Sequence, residues 1–168
     1  RDAVPAAAGL IDERIGTRVG PYTRVDSLGK GGCGEVYLAE QTEPVKRQVA
    51  LKIIKLGMDT QSVIRRFDAE RRALAMMDHP NIARVLDAGL TLLGRPYFVL
   101  ELVRGVCITE YCQVHRSGLR DRVELVIDVC NAIQYAHSRH VLHRDLKPGN
   151  VMLGEYGETL VVDWGLAK

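Results

Sequence analysis

The chain of 168 residues has no apolar run approaching the roughly 20 residues that a membrane-spanning helix needs. Its N-terminus also lacks the charged-then-apolar order of a secretory signal, and on those absences it reads as a cytosolic sequence. No C-x-x-C pair occurs: Cys33, Cys107, Cys112 and Cys130 are irregularly spaced, which fits reduced thiols better than a disulfide frame or a zinc site. There is no long block of one charge. With 23 basic residues against 21 acidic the net charge is +2, so bulk charge points to neither nucleic acid nor an acidic membrane, and any phosphate binding has to come from local geometry. Internal repeats and low-complexity tracts are also missing. The first residue is Arg1 rather than Met and the last, Lys168, stands a few positions beyond a motif, so both ends read as cut. The length suits one core and would cramp a two-lobed enzyme.

What is present changes character along the chain. Residues 1–20 carry Pro5, an alanine cluster and scattered charges without a sustained apolar period, and read as a tail or linker. From Tyr22 short apolar runs separated by glycine predict three antiparallel strands, Tyr22–Leu28, Val36–Glu40 and Val49–Leu56. Between Gln61 and Met77, the residues Val63, Phe67, Glu70, Leu74 and Met77 recur at alternating steps of four and three, which predicts an amphipathic helix whose stripe contains one carboxylate. A strand pair over 83–92 and 95–103 completes an expected five-stranded antiparallel sheet carrying one helix, a small α+β lobe at 21–103. Residues 104–168 then turn helical, with a short helix near Thr109–His115 and a long one over Leu119–Ser138. In the latter Val123, Val126, Ile127, Cys130, Ile133 and Ala136 hold helical spacing. Two short strands, Val151–Leu153 and Thr159–Val162, are expected around a turn at 155–158.

Four segments carry chemistry. Gly29-Lys30-Gly31-Gly32-Cys33-Gly34-Glu35-Val36 contains G-x-G-x-x-G-x-V, in which glycines let backbone N–H groups approach phosphate oxygens. A dinucleotide-binding fold would need a helix after those glycines, whereas Val36-Tyr37-Leu38-Ala39 reads as a strand. An ordinary hairpin turn accounts for the glycines equally well when the segment is taken alone. In Val49–Ile54 the alternation puts Ala50, Lys52 and Ile54 on one face, and a lysine inside an apolar strand demands an anionic partner. Glu70 poses the mirror-image problem, so pairing of Lys52 with Glu70 solves both; the bland alternative is a snorkelling lysine and a marginal glutamate. In His143-Arg144-Asp145-Leu146-Lys147-Pro148-Gly149-Asn150, Asp145 can accept or orient a hydroxyl proton and Lys147 can neutralise charge on a phosphoryl group. Asn150 and Asp163, the latter in Asp163-Trp164-Gly165, offer hard oxygen ligands suited to magnesium. His137, His140 and His143 recur every third residue, but Arg139 and Arg144 interleave, and a metal site is the poorer explanation.

In this order the segments resemble the protein-kinase superfamily, and within it the eukaryotic-like serine/threonine kinases of bacteria, over about residues 22–168. The resemblance implies a bilobal α+β fold with a complete N-lobe and a truncated helical C-lobe. It implies that Leu28, Gly29, Gly31, Gly34 and Val36 cover ATP, that Val36, Ala50 and Met152 sandwich the adenine, and that Glu101 to Val103 form the hinge behind Leu100. Lys52, braced by Glu70, would hold the phosphates; Asp145 would be the catalytic base, Lys147 the γ-phosphate contact, and Asn150 and Asp163 the Mg2+ ligands. Lys147 following Asp145 by two resembles kinases that act on serine and threonine of protein substrates.

Trp164 departs from the family's phenylalanine, and its retained neighbour Gly165 favours accommodation of the larger ring. The second departure is the absence after Lys168 of the activation segment that Arg144 would meet through a phosphate. Two functions therefore follow from the sequence: a protein kinase using Mg-ATP, or a non-catalytic nucleotide-binding or scaffold fragment. The missing later helices would leave the long helix with an uncovered apolar stripe, which predicts poor solubility or molten behaviour for these 168 residues alone.

Overall fold

The alternation in Val49–Ile54 organises the first half of the molecule. The computed structural model describes residues 16–31, 34–55, 67 and 71–164. In it β1 (Arg18–Val19), β2 (Tyr22–Gly31), β3 (Gly34–Gln41), β4 (Arg47–Ile54), β5 (Val85–Leu90) and β6 (Pro96–Glu101) form one sheet in the order β1-β2-β3-β4-β6-β5, every pairing antiparallel. Strand β4 is hydrogen-bonded on both edges, and both of its faces are covered. Val49, Leu51 and Ile53 join Tyr22, Tyr37, Tyr97 and Val99 in one core. Ala50 and Ile54 join Phe98 and Leu100 in the other, and Lys52 stands between them in the alternation, only 5% exposed.

The sheet has six strands rather than the expected five. The extra one, β1, has two residues, pairing Arg18 with Thr23 and Val19 with Tyr22 across a tight turn, and a two-residue strand is too short to generate a period. Strand β2 runs three residues beyond Leu28, so part of the glycine segment is itself strand, paired as Gly29 with Val36 and Gly31 with Gly34. Gly34 answers to the neighbouring strand: a Cβ there would lie 2.2 Å from the Ile53 carbonyl oxygen. Of the predicted helical stripe, Phe67, Leu74 and Met77 are buried, with the Phe67 ring 4.9 Å from that of Phe98. Val63 and Glu70 of that stripe lie outside the described residues, as do Cys33, Gly165 and residues 1–15 of the expected tail.

The second half begins with β7 (Gly105–Cys107), which the sequence pattern does not announce, followed by α1 (Ile108–Val114) and α2 (Leu119–Ser138). A 3-10 turn at Pro148–Asn150 leads into β8 (Val151–Gly154) and β9 (Thr159–Val161), and the three strands form a small sheet in the order β7-β8-β9. Helix α2 has the predicted bounds; the Asp121 carboxylate accepts the Gly118 N–H at 3.0 Å and closes its first turn. Its apolar residues divide. Ala132 and Ala136 are fully buried, with Val129, Ile133 and Tyr135 against the same core, whereas Leu119, Val123, Val126 and Ile127 are exposed. The uncovered stripe that the sequence predicts thus runs from Leu119 to Cys130, and the helix is covered from Ala132 onward. No helix among the described residues is long and apolar enough to cross a membrane.

The two halves are stitched by the segment before β5. Ile82 bridges Val161, Val161 N–H donates to the Asn81 carbonyl at 2.8 Å, and Ala83 N–H donates to the Val161 carbonyl at 3.1 Å. The Asn81 amide donates to the Thr159 carbonyl at 2.9 Å, and the Thr159 hydroxyl donates to Asp128 of α2 at 3.0 Å. These bonds fix the end of β9, and with it Asp163, against the large sheet.

Candidate active site

A cleft of about 360 Å³ opens between the large sheet and the small one, within the roughly 300–1,000 Å³ typical of small-molecule sites. One wall carries Leu28, Gly29, Val36, Ala50 and Leu100 from the large sheet, with Glu101, Leu102 and Val103 at the back. The opposite wall carries Asn150, Met152, Val162 and Asp163. Most of these side chains are apolar, and Asn150 and Asp163 bring polar groups to the wall opposite the large sheet, the pattern of a site that buries a flat ring and leaves a charged group outside it. Strand geometry explains the first wall. Val36 is registered against Lys52, and Ala50 against Leu100, so a single face of three adjacent strands supplies both the apolar lining and the lysine.

Of the residues singled out from the sequence, Leu28, Gly29, Val36, Ala50, Leu100, Glu101, Leu102, Val103, Asn150, Met152, Asp163 and Trp164 line this one cleft. Gly31 and Gly34 lie further out, at the tip of the β2–β3 hairpin. Lys52 forms an ion pair and hydrogen bond with the Asp163 carboxylate. The sequence placed Glu70 opposite Lys52; Glu70 lies outside the described residues, and the described partner is Asp163, 111 residues away. No local pattern could reveal a pairing across that separation.

Asp145 stands beside Asn150 of this cleft, and Lys147 beside Asp145. Lys147 Nζ donates to Asp145 Oδ2 at 2.7 Å, and Asn150 Nδ2 donates to the Asp145 carbonyl at 2.8 Å and to its carboxylate at 3.2 Å. The hydrogen bond from Lys147, followed by that lysine's charge and the Asn150 amide, holds the Asp145 carboxyl below the ordinary carboxylate range. His143, 3% exposed, sits behind them. Its Nε2 lies 2.9 Å from the Val162 carbonyl, so that nitrogen carries the proton, and Nδ1 is left to accept the Asp145 N–H at 3.4 Å. The histidine thereby links the Asp145 backbone to the strand end that carries Asp163. It does this as a structural hydrogen-bonding residue, not as one of three metal ligands, and among the described residues no group of three His, Cys, Asp or Glu could hold a metal.

Trp164 is 1% exposed, its Nε1 donates to the Val161 carbonyl at 2.9 Å, and its ring lies edge-on to His143 at 4.7 Å. The larger ring is accommodated, inside the core that contains Phe67, Leu74 and Ala136. The lining also includes Ala83, Gly149 and Val162, which sequence reasoning missed. Ala83 is one small residue after a turn, without period or motif; Val162 could have been found by counting back one position from Asp163.

The donor set fits a magnesium nucleotide. The Asn150 amide nitrogen is engaged by Asp145, which leaves its oxygen as the group presented to the cleft, and Asp163 supplies a carboxylate. Two hard oxygens without a complete cage are what magnesium uses when phosphates and waters provide its remaining ligands.

Residues 22–168 match the family model described as protein kinase domain. The chain is 34% identical over 159 residues to a probable serine/threonine-protein kinase PknB of Bifidobacterium longum, covering 89% of this chain and 23% of that protein. It is 35% identical over 162 residues to the serine/threonine-protein kinase PknA of Mycobacterium tuberculosis, covering 92% of this chain and 37% of that protein. Among solved structures the M. tuberculosis PknI kinase domain superposes with a TM-score of 0.78 at 31% identity, over 92% of this chain and 62% of that one. The chain therefore spans about a quarter to a third of the length of these curated relatives, and under two thirds of the solved domain. Its ordered motifs, its sheet-and-helix architecture and its sequence all lead to one conclusion: the chain belongs to the protein kinase family.

Proposed function

We propose that the protein carrying this chain is a serine/threonine protein kinase, transferring the γ-phosphoryl group of ATP to hydroxyl groups of protein substrates. The observation that carries this reading is the convergence of Lys52, Asp163, Asn150 and Asp145 at one apolar cleft. In this reading Leu28, Val36, Ala50 and Met152 enclose the adenine, and the backbone of Glu101 to Val103 offers hydrogen bonds to its edge. Gly29, Gly31 and Gly34 let the β2–β3 hairpin lie over the phosphates, and Lys52, steadied by Asp163 and by Glu70, holds them. Asn150 and Asp163 hold magnesium, which when bound neutralises phosphate charge.

Asp145 orients the attacking hydroxyl and takes its proton. Its lowered affinity for protons suits the first role better, because a weak base removes a proton only late in the transfer. Lys147, already beside Asp145, offers its ammonium to the charge that develops on the phosphoryl group. The names of the curated relatives support serine and threonine as the acceptors.

The test is transfer of labelled γ-phosphate from ATP to a mixture of protein substrates by the full-length protein. Wild type should label serine and threonine, and Asp145→Asn should lose roughly 10²–10⁴-fold in rate. Nucleotide binding without any transfer by the wild type would instead favour a non-catalytic scaffold.

A further inference from the structure

We infer that Trp164 is a positioning residue: its indole N–H, bonded to the Val161 carbonyl, latches Asp163 in the pose that faces Lys52. The inference rests on the nucleotide-site reading above and concerns a hydrogen bond that a phenylalanine at this position cannot make.

The backbone at Asp163 has φ of 63°, in the left-handed region, which aspartate enters more readily than most residues with a Cβ but which still costs more than the right-handed region and has to be held by its surroundings. Ion pairing with Lys52 supplies one constraint. Trp164, which borders the same cleft and is buried in the core beside it, supplies another. Its Nε1 reaches back three residues to the Val161 carbonyl at 2.9 Å, closing a loop around Val162 and Asp163. The same carbonyl accepts the Ala83 N–H at 3.1 Å, so the indole is fastened to an atom already tied to the segment preceding β5. Both lone pairs of that oxygen are therefore used. On the other flank the His143 ring lies edge-on to the indole and bonds the Val162 carbonyl at 2.9 Å.

Displacing Asp163 from this pose requires the next residue to move, and Trp164 cannot move without leaving a buried N–H without its acceptor. A phenylalanine would fill most of the same space and resist only through packing. The indole adds a directional bond in a water-free setting, where an unmade hydrogen bond is most costly.

The test uses the full-length protein with two variants, W164F and the isosteric Trp164→3-benzothienylalanine, which keeps the bicyclic shape and replaces N–H by sulfur. Amide hydrogen exchange is read at Val162, whose N–H bonds the Asn150 carbonyl, and at Leu51 in the centre of the large sheet. Exchange at Val162 should quicken roughly five- to tenfold in both variants, while Leu51 keeps its rate. Affinity for Mg-ADP should fall by more than affinity for adenosine, because only the former uses Asp163. Unchanged exchange at Val162, or equal acceleration at Val162 and Leu51, would overturn the latch and leave the tryptophan as packing alone. A wild type that binds neither ligand overturns the nucleotide-site reading instead, and the exchange rates still decide the latch.

Discussion

Two lysine–aspartate pairs meet around Asn150, and they are built for different work. Lys52 is 6% exposed along its side chain and Asp163 34%, whereas Lys147 and Asp145 are 57% and 44% exposed. The first pair joins the centre of the large sheet, where Lys52 is held by strand pairing on both sides, to Asp163, two residues beyond the end of β9. The second is formed within a three-residue span of one loop. A charge pair withdrawn from water is held rigidly, and breaking it leaves an uncompensated ion; an exposed pair is screened, rearranges cheaply and adds little stability. The difference teaches that rigidity is concentrated where a nucleotide would be gripped, and freedom where a substrate hydroxyl would have to enter.

The comparison can be broken first at the exposed pair. Asp145→Asn in the full-length protein should reduce kcat by roughly 10²–10⁴-fold while leaving Mg-ADP affinity, read by titration calorimetry, near the wild-type value. If affinity fell as far as kcat, the two pairs would not be separable. Phe98→Ala attacks the support of the buried pair. Phe98 is registered against Lys52, is fully buried and packs at a tilt against Phe67, so its truncation should cost roughly 3–5 kcal/mol in chemical denaturation. A cost below about 1 kcal/mol would show that the face beneath Lys52 is not close-packed.

The legibility of this molecule followed the range of the interactions. Alternation in Val49–Ile54 and helical spacing in Leu119–Ser138 are local, and both appear with the expected faces or bounds. Most of the cleft residues, Leu100 and Trp164 among them, were recognisable because motif and resemblance carry them as short strings. What escaped was either too short or too distant. β1 and β7 have two and three residues and owe their existence to neighbours; Gly105 of β7 would place a Cβ 1.9 Å from the Leu153 carbonyl oxygen. The Lys52–Asp163 pair and the bridge from Ile82 to Val161 close loops of many tens of residues, and nothing local announces them. The apolar spacing of α2 likewise could not say which part of the helix would be covered.

Smaller effects sharpen the contrast. In Lys147→Ala, Asp145 loses the hydrogen bond that most lowers its proton affinity, so its protonation should move toward higher pH. The sign follows from the depressed value: the carboxylate is charged above the ordinary range and is lost only as pH falls below it. The acidic limb of the kcat profile should therefore rise in this variant, and a profile that did not shift would disconnect Lys147 from Asp145. Smallest is Lys30→Ala, which removes the 2.7 Å pair with Glu35 on the hairpin, where Lys30 is 71% exposed. It should change stability by less than about 1 kcal/mol, and the change should shrink with added salt.

The central claim is that Lys52 and Asp163 together form the phosphate-gripping end of one nucleotide cleft. Titration of the full-length protein with Mg-ADP, comparing wild type with Lys52→Ala and with Asp163→Ala, tests it most directly. Each substitution should weaken binding on the order of 10- to 100-fold, as loss of a charge-assisted contact does. Wild-type affinity in both variants would contradict the account.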